Sequence, residues 1–408
     1  MKLMHQPLAT KKSSVASRGN APRAYVGNAE SLAGEIARTH GTPALILDCD
    51  MVRSTYAALA RALPAATLHY AVKALPDPVF IQTLHGLGAS FEVASTGELA
   101  LLKRLDVPTS ECIHTHPVKR PADIAVGLDA SVSHFVFDCL GELDKLAAFA
   151  PGHRVLLRVG YGHADAMVQL ANKFGCHPEE ANALICAARE RGLRPDGICF
   201  HVGSQSPDSS AHVAAIHASE EFFSRHSDMS ILDIGGGFPV PYDAPVPDIE
   251  SFCAPIREAL ACIPARVRVI AEPGRYLAAP CLTAVAAVMG TSERAGKRWY
   301  FLDDGVYGSF SGRIFDHARY PLQALGAHSG TRHSCVVAGP TCDGLDVIDE
   351  DASLPAMETG DLVVAKMMGA YTIASASQFN GFPVATLVPI NEAPVRSVDR
   401  GCALGSQP

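Results

Sequence analysis

The sequence predicts an α/β fold: a (β/α)8 barrel followed by a smaller, mainly β domain. Two observations predict it. From about residue 42 to residue 278, strand-like and helix-like segments alternate and include eight strand candidates, which is typical of a closed parallel barrel. From about residue 279 onward the segments are strand-like, few helices separate them, and glycines and prolines mark the turns. An open doubly wound sheet is the alternative for the first part.

The individual elements follow from local patterns. The barrel strands are predicted from short runs rich in β-branched, aliphatic and aromatic residues, at 66–72, 89–93, 111–114, 134–137, 154–159, 197–201, 230–234 and 268–271. Helix-like stretches separate most of them, at 79–87, 97–105, 141–149, 178–191, 212–224 and 249–262. Strands of the second domain are predicted at 282–289, 298–302, 334–337 and 362–365.

The remaining segments complete the domain organisation. Residues 1–25 carry five basic residues, no acidic residue and several serines, which predicts a flexible basic tail, with a targeting peptide as the alternative. Residues 26–41 are expected to join the β-domain, residues 42–278 to form the barrel, and residues 279–408 to form the C-terminal β-domain.

The composition is that of a large globular protein. The chain has 408 residues, of which 48% are hydrophobic and 19% charged, and its net charge is −8. Negative charge argues against binding to nucleic acid or anionic lipid, and no apolar run reaches membrane-spanning length. The twelve cysteines are scattered without zinc-ligand spacing, so we expect no metal site and a reducing, cytoplasmic location.

A lysine stands at the carboxyl end of the first predicted barrel strand. Lys73 closes the run Tyr70-Ala71-Val72-Lys73, and Pro76 and Pro78 prevent the strand from continuing. Catalytic residues of barrels lie at this end of the strands. A lysine whose pKa is lowered by its surroundings can bond covalently to a carbonyl cofactor there, although most lysines at strand ends are only solvated.

Three further motifs follow later strands and would lie at the same rim. Three consecutive glycines, Gly235 to Gly237, follow the seventh strand, where barrels commonly bind phosphate. Glu272 and Arg275 follow the eighth, where the acid could face a ring nitrogen and the guanidinium a phosphate. His201 and Ser204 end the sixth. The alternatives are a flexible turn for the glycines, a mutual salt bridge for Glu272 and Arg275, and a packed core residue for His201.

The chain resembles a known family in the order and content of its motifs. It is similar to the fold-type III decarboxylases that depend on pyridoxal 5'-phosphate (PLP), the alanine-racemase-like barrels, and among them to the ornithine decarboxylases. The resemblance covers residues 42–383 and rests on Tyr70-Ala71-Val72-Lys73, His201-Val202-Gly203-Ser204, Leu232-Asp233-Ile234-Gly235-Gly236-Gly237-Phe238, Glu272-Pro273-Gly274-Arg275-Tyr276, Asp304-Gly305-Val306-Tyr307-Gly308-Ser309-Phe310, Gly339-Pro340-Thr341-Cys342-Asp343-Gly344-Leu345-Asp346 and Gly369-Ala370-Tyr371-Thr372.

The resemblance implies the cofactor site residue by residue. Lys73 would hold PLP through its ε-amino group, Glu272 would face the pyridine nitrogen, and His201 would stack on the ring. The residues expected to hold the phosphate, or to line its loop, are Ser204, Gly235, Gly236, Gly237, Gly274, Arg275 and Tyr371. Glu98 and Arg158 match other positions that line the family's cofactor site.

The resemblance also implies a shared active site in a homodimer. Cys342, arriving from the second subunit with Asp343, would return a proton to the α-carbon of the substrate after carbon dioxide leaves. Asp316 and Asp343 would face the distal ammonium of a basic amino acid, and Tyr307 is expected among the substrate-binding residues.

The implied activity is decarboxylation of a basic L-amino acid within polyamine biosynthesis. L-Ornithine giving putrescine is the first choice and L-lysine giving cadaverine the second, since one methylene separates them and is worth only about 1–3 kcal/mol in a pocket. Decarboxylases of diaminopimelate, arginine or carboxynorspermidine, an amino-acid racemase and a non-catalytic regulator are the alternatives on this fold. Two departures from the family pattern lie near the cofactor: Leu75-Pro76 stands where asparagine is usual, and Glu92 where aspartate is more frequent.

Overall fold

The computed structural model describes residues 29–161, 173–326 and 331–392. The tail predicted at residues 1–25 and the end of the chain lie outside the described residues. Within these ranges the chain forms a closed barrel of eight parallel strands and a separate eight-stranded sheet, so the predicted fold class is confirmed. No described helix has the length and apolar character that crossing a membrane would require.

The described chain begins with helix α1 (Ala29–His40), strand β1 (Ala44–Asp48) and helix α2 (Cys49–Ala62). The barrel strands β2 to β9 are Ala66–Ala71, Ser90–Val93, Ile113–His114, His134–Phe137, Arg154–Arg158, Arg194–Cys199, Ile231–Asp233 and Arg268–Ala271. All eight were predicted, with ends that differ by a few residues. The helices α3 to α9 between them are Pro78–Gly86, Thr96–Arg104, Pro121–Asp129, Leu140–Phe149, Ala181–Glu190, Ser210–Arg225 and Ile249–Leu260.

Helix α5 is the one helix of this series that the sequence pattern did not predict. It contains Gly127, and an interior glycine disfavours a helix by about 1 kcal/mol relative to alanine. The packing explains its presence, because a Cβ on Gly127 would lie only 2.7 Å from the ring of Phe135 on β5. The close approach of helix to strand therefore requires glycine here.

The middle of the barrel is filled with side chains. Six buried apolar residues, one from each of the strands β4 to β9, pack into one cluster: Ile113, Val136, Leu156, Cys199, Ile231 and Ile270. This cluster makes the barrel a packed core and not a channel. The polar residues that could take part in a reaction therefore lie above this cluster, where the strands end.

The rest of the chain builds the second sheet. It contains the short helices α10 (Arg275–Ala278) and α11 (Gly312–Phe315), and the strands β10 to β16: Leu282–Arg294, Lys297–Leu302, Leu322–Ala324, His333–Ala338, Val347–Leu354, Leu362–Ala365 and Thr386–Ile390. The strand order is β12-β15-β10-β11-β13-β14, with β1 paired to β10 and β16 paired to β1. The four strands predicted here are confirmed, and β12, β14 and β16 were not predicted.

Strand β1 belongs to this sheet and not to the barrel, although it lies within the range 42–278 assigned to the barrel. Its backbone pairs antiparallel with β10, Ala44 opposite Val285, and parallel with β16, Ala44 opposite Thr386. Helix α1 packs on it through Ala33 and Ile36. The exact division into domains stays a prediction.

Candidate active site

A cavity of about 310 Å³ opens at the carboxyl ends of the barrel strands. Its lining includes eight residues that the sequence predicted for the site: Lys73, Arg158, His201, Ser204, Glu272, Arg275, Asp316 and Tyr371. Ala94, Thr115, His116, Pro117 and Phe174 complete it. A cleft of about 540 Å³ lies beside it but is lined by none of the predicted site residues.

Lys73 reaches this cavity from a tight turn. Strand β2 ends at Ala71, and Val72–Ala74 forms a single 3₁₀ turn. The chain is then fixed by Asp77, whose carboxylate accepts hydrogen bonds from the backbone N–H groups of Val79 and Phe80 at the start of α3. The lysine is thus held between two regular elements, with 41% of its side-chain surface open to the cavity.

A buried carboxylate accompanies the lysine. Lys73 Nζ donates to Glu92 Oε2, and the Thr115 hydroxyl donates to Glu92 Oε1. Glu92 has no exposed surface. Burial lowers the pKa of Lys73, but Glu92, Tyr371 and Glu272 outweigh this effect and raise the pKa above its ordinary value. The expectation of a lowered pKa is therefore wrong for the chain by itself, because an acid sits directly against the amine.

Two further acids lie deep in the site. Burial raises the pKa of Glu272 well above its ordinary range, and the neighbouring Asp233 and Glu92 raise it further. Burial also raises the pKa of Asp233 to about 7, although the Gly235 N–H donates to its Oδ1 at 2.9 Å. Glu272 and Asp233 also share a side-chain hydrogen bond, which raises the pKa of Glu272 and lowers that of Asp233. Burial and this partner therefore both favour the protonated form of Glu272.

His201 is neutral in this setting. Burial lowers the pKa of His201 well below its ordinary value, and Arg158 and Lys73 lower it further. Its Nδ1 accepts a hydrogen bond from the Gly203 N–H at 3.0 Å, so Nε2 carries the ring proton. An uncharged, fixed imidazole offers a flat apolar face to the cavity.

The glycine loop after β8 is held close to the backbone of neighbouring strands. Gly235 has a φ of +67° and Gly237 a φ of +105°. A Cβ on Gly235 would collide with the carbonyl oxygen of Phe200, and one on Gly236 would lie 2.8 Å from the carbonyl oxygen of Glu272. Only glycine fits at these two positions, and the absence of a side chain lets a ligand approach the backbone of this loop.

Arg275 lies between this loop and the second sheet. Nε and Nη2 donate to the Ser204 hydroxyl at 3.1 and 2.9 Å, and Nη2 also donates to Asp316 Oδ2 at 2.8 Å. Nη1 donates to the Tyr242 hydroxyl at 2.9 Å, and the Tyr371 ring lies 5.1 Å from the guanidinium. Tyr242 was missed from the sequence, and its place five residues after Gly237 was the only signal for it.

Other predicted residues lie outside the cavity. Glu98 is among them: it accepts a hydrogen bond from the Ala94 N–H at 2.6 Å, and burial raises its pKa to about 7. Gly274 backs onto Tyr371, since a Cβ there would lie 3.0 Å from the tyrosine oxygen. Gly274 therefore limits where the Tyr371 side chain can lie, and Gly274 itself does not line the cavity.

Cys342, Asp343 and Tyr307 lie in a separate group, in which Cys342 is exposed and the other two are half-buried. The Tyr307 hydroxyl donates to Asp343 Oδ2. The thiol and the backbone N–H of Cys342 donate to Asn380 Oδ1 at 3.2 and 3.1 Å. One chain therefore does not bring these three residues to the cavity that Lys73 lines.

Comparison with known proteins identifies the family to which a chain with these features belongs. The chain matches, over residues 49–279, the family model described as pyridoxal-dependent decarboxylase, pyridoxal binding domain. The chain belongs to this family. It is a PLP-dependent carboxy-lyase, as the sequence predicted, and PLP is its cofactor.

Relatives of this decarboxylase cover most of its length. Lysine/ornithine decarboxylase from Selenomonas ruminantium is 39% identical over 364 residues, which are 88% of this chain and 92% of the relative. Ornithine decarboxylase from Rattus norvegicus is 35% identical over 344 residues, 79% and 75% of the two chains. The crystal structure of lysine/ornithine decarboxylase from Vibrio vulnificus complexed with putrescine is 46% identical, with a TM-score of 0.84 and coverage of 89% and 98%.

The cavity of this decarboxylase fits PLP by its own contacts. The buried carboxyl of Glu272 suits a ring nitrogen, and the glycine loop at residues 235–237, with Ser204 and Arg275 beside it, suits a phosphate. An amine at Lys73 suits an aldehyde. Each group that PLP carries thus has a chemically matched residue in this cavity.

Proposed function

We propose that this enzyme decarboxylates a basic L-amino acid, either L-ornithine to putrescine or L-lysine to cadaverine, in polyamine biosynthesis. One observation carries the proposal: the carboxylate of Asp316 lines the same cavity as Lys73. An acid there favours a substrate with a distal ammonium and disfavours diaminopimelate, whose second carboxylate would need a cation. The relatives named above support both substrates and favour neither.

The residues of the cavity divide the work of holding PLP. Lys73 would bind its aldehyde carbon, His201 would cover the ring, and Arg158 would line the cavity around the cofactor. Ser204, Arg275, Tyr371 and the backbone of residues 235–237 would hold the phosphate, since guanidinium, hydroxyl and N–H groups all donate to its oxygens. Glu98 acts through the backbone of Ala94 and not by direct contact.

Bound PLP supplies a sink for the electron pair that remains when carbon dioxide departs. The chain contributes the proton that makes this sink effective. The raised pKa of Glu272 favours its protonated form before the cofactor binds. Opposite a pyridine nitrogen it can give up that proton and remain as a paired carboxylate, which is favourable in a site where like charges otherwise repel.

A homodimer completes the site in this proposal. Cys342 is exposed, Asp343 is half-buried, and both lie outside the cavity of their own chain. Two large apolar side chains close to the site residues in sequence are exposed as well: Leu345, two residues after Asp343, with 67% exposure, and Phe315, next to Asp316, with 66%. A second subunit would cover these residues and place Cys342 to protonate the α-carbon, and Asp343 and Tyr307 to bind substrate.

We also propose a cytoplasmic location. Every cysteine within the described residues is free, which fits a reducing compartment.

The test is release of carbon dioxide from the PLP-loaded enzyme with L-ornithine, L-lysine, L-arginine, meso-diaminopimelate and D-ornithine offered separately. We expect activity with L-ornithine, L-lysine or both, and none in a Lys73→Ala variant. Preference for diaminopimelate would contradict the role given to Asp316. Loss of optical activity without carbon dioxide would indicate a racemase, and silence across the panel with PLP retained would indicate a regulator.

A further inference from the structure

The guanidinium of Arg275 is shared between an acid and a hydroxyl. Its Nη2 donates to Asp316 Oδ2 at 2.8 Å and to Ser204 Oγ at 2.9 Å. The side chain of Arg275 is 4% exposed and that of Asp316 13%, so solvent screens the pair only weakly. Asp316 is the carboxylate that pairs with Arg275 within the described part of the chain, so the charge of Asp316 is largely neutralised.

An anion at Arg275 would change what Asp316 offers to the cavity. A phosphate group accepts from the same N–H groups that now point at Ser204 and Asp316, and it brings up to two negative charges. Arg275 would then be neutralised by the phosphate. Asp316 would present an unopposed carboxylate, and a cationic group would be drawn to it more strongly than before.

We propose that the Arg275–Asp316 pair couples the two ends of the cavity, so that a phosphate group bound at Arg275 strengthens the binding of a diamine at Asp316. This inference rests on the proposed function, which assigns the phosphate to Arg275 and the distal ammonium to Asp316. Because coupling between binding equilibria is reciprocal, a diamine strengthens phosphate binding by the same factor. The site becomes selective for diamines once the phosphate of the cofactor is in place.

The test compares two ring compounds that differ only in the phosphate. Pyridoxine 5'-phosphate and pyridoxine both lack the aldehyde, so neither reacts with Lys73 or with an amine. Apoprotein saturated with each is titrated with putrescine by calorimetry, and inorganic phosphate alone provides a third state. We expect the Kd for putrescine to be at least about tenfold lower with pyridoxine 5'-phosphate than with pyridoxine, within the usual range of such couplings.

Two variants, each with an aspartate replaced by asparagine, distinguish coupling through Arg275 from the mere loss of one negative charge. Asp316→Asn is expected to remove the difference between the two compounds. Asp343→Asn, an acid that does not contact Arg275, is expected to weaken putrescine binding equally in both states and to leave their ratio unchanged. The reciprocal measurement, the Kd for pyridoxine 5'-phosphate with and without putrescine, is expected to give the same factor in the wild type.

The outcomes distinguish the inference from the function on which it rests. Equal and measurable Kd values for putrescine with the two compounds would overturn the coupling and leave the proposed function intact. A ratio that survives Asp316→Asn would also overturn it. If putrescine and cadaverine fail to bind in every state, both the coupling and the proposed substrate class are wrong.

Discussion

The amine of Lys73 is paired with the carboxylate of Glu92, a side chain with no exposed surface. The other oxygen of Glu92 accepts a hydrogen bond from the Thr115 hydroxyl. The carboxylate is therefore held by the Thr115 hydroxyl at one oxygen and by the Lys73 amine at the other. This pair sets the charge of Lys73 before any cofactor binds.

Removing the charge of Glu92 should make Lys73 a stronger nucleophile in the apoprotein. In Glu92→Gln the contribution that raises the pKa of Lys73 is lost while the burial that lowers it remains. The pH midpoint for acylation of Lys73, measured by peptide mass spectrometry, should move at least about one pH unit lower. Glu92→Asp keeps the charge and should stay near the wild type. An unchanged midpoint in Glu92→Gln would show that the ion pair does not control the amine.

Replacing Glu272 by glutamine should slow decarboxylation with little effect on folding. Glutamine has the same shape but has no acidic proton to give to the ring nitrogen, so kcat should fall by on the order of 10²- to 10⁴-fold. The matched control is Glu293→Gln, whose side chain is 63% exposed on β10, and it should retain wild-type kcat. Wild-type kcat in Glu272→Gln would exclude this carboxyl from proton transfer.

The fold was predictable where a local pattern is sufficient. Each barrel strand is a short, largely buried apolar run between turn signals, so all eight could be located. Strand β1 could not be assigned to its sheet, because its partners around Val285 and Thr386 are far along the chain. Strand β14 was missed because Asp349, Glu350 and Asp351 lie within it. Charges on an edge strand protect it from pairing with other chains.

The site, like the fold, could be predicted from the sequence only in part. The proximity of Lys73, His201 and Glu272 could be predicted, because each follows a barrel strand and the carboxyl ends of parallel strands meet at one rim. The sign of the pKa shift of Lys73 could not be predicted, since it depends on which side chain touches the amine. The contacts of Arg275 with Tyr242 and Asp316 cross 33 and 41 residues of sequence and appear only in the folded chain.

Gly235→Ala should destabilise the protein and weaken PLP binding. The residue has a positive φ of +67°, and its Cβ would collide with the carbonyl oxygen of Phe200. The free energy of unfolding should fall by about 1–3 kcal/mol from backbone strain alone. Gly86→Ala, in α3 with no heavy atom near the added Cβ, should change it by less than about 1 kcal/mol. Urea unfolding and PLP titration of both variants check this, and equal behaviour would contradict it.

Glu98→Gln should flatten the pH dependence of stability in the acidic range. Burial raises the pKa of Glu98 from 4.5 to about 7, so the folded chain holds a proton that the unfolded chain loses. The stability from this group is complete below pH 4.5 and is lost as the pH rises through 7. Between these limits the wild type should lose about 3 kcal/mol more than the variant. Urea titrations at several pH values measure this, with the exposed Glu221→Gln as control, and parallel curves would refute it.

Two inactive variants should restore activity when they are mixed, if the active site is shared between subunits. Lys73→Ala removes the residue that holds the cofactor, and Cys342→Ala removes the exposed thiol that lies outside its own cavity. In a mixed dimer one of the two sites receives both intact residues, so a refolded equimolar mixture should reach roughly a quarter of wild-type activity. A double variant carrying both changes in one chain, mixed with wild type, controls for exchange. Sedimentation measures the oligomeric state directly. No recovery from a mixture that demonstrably exchanges subunits would mean that Cys342 acts elsewhere or not at all.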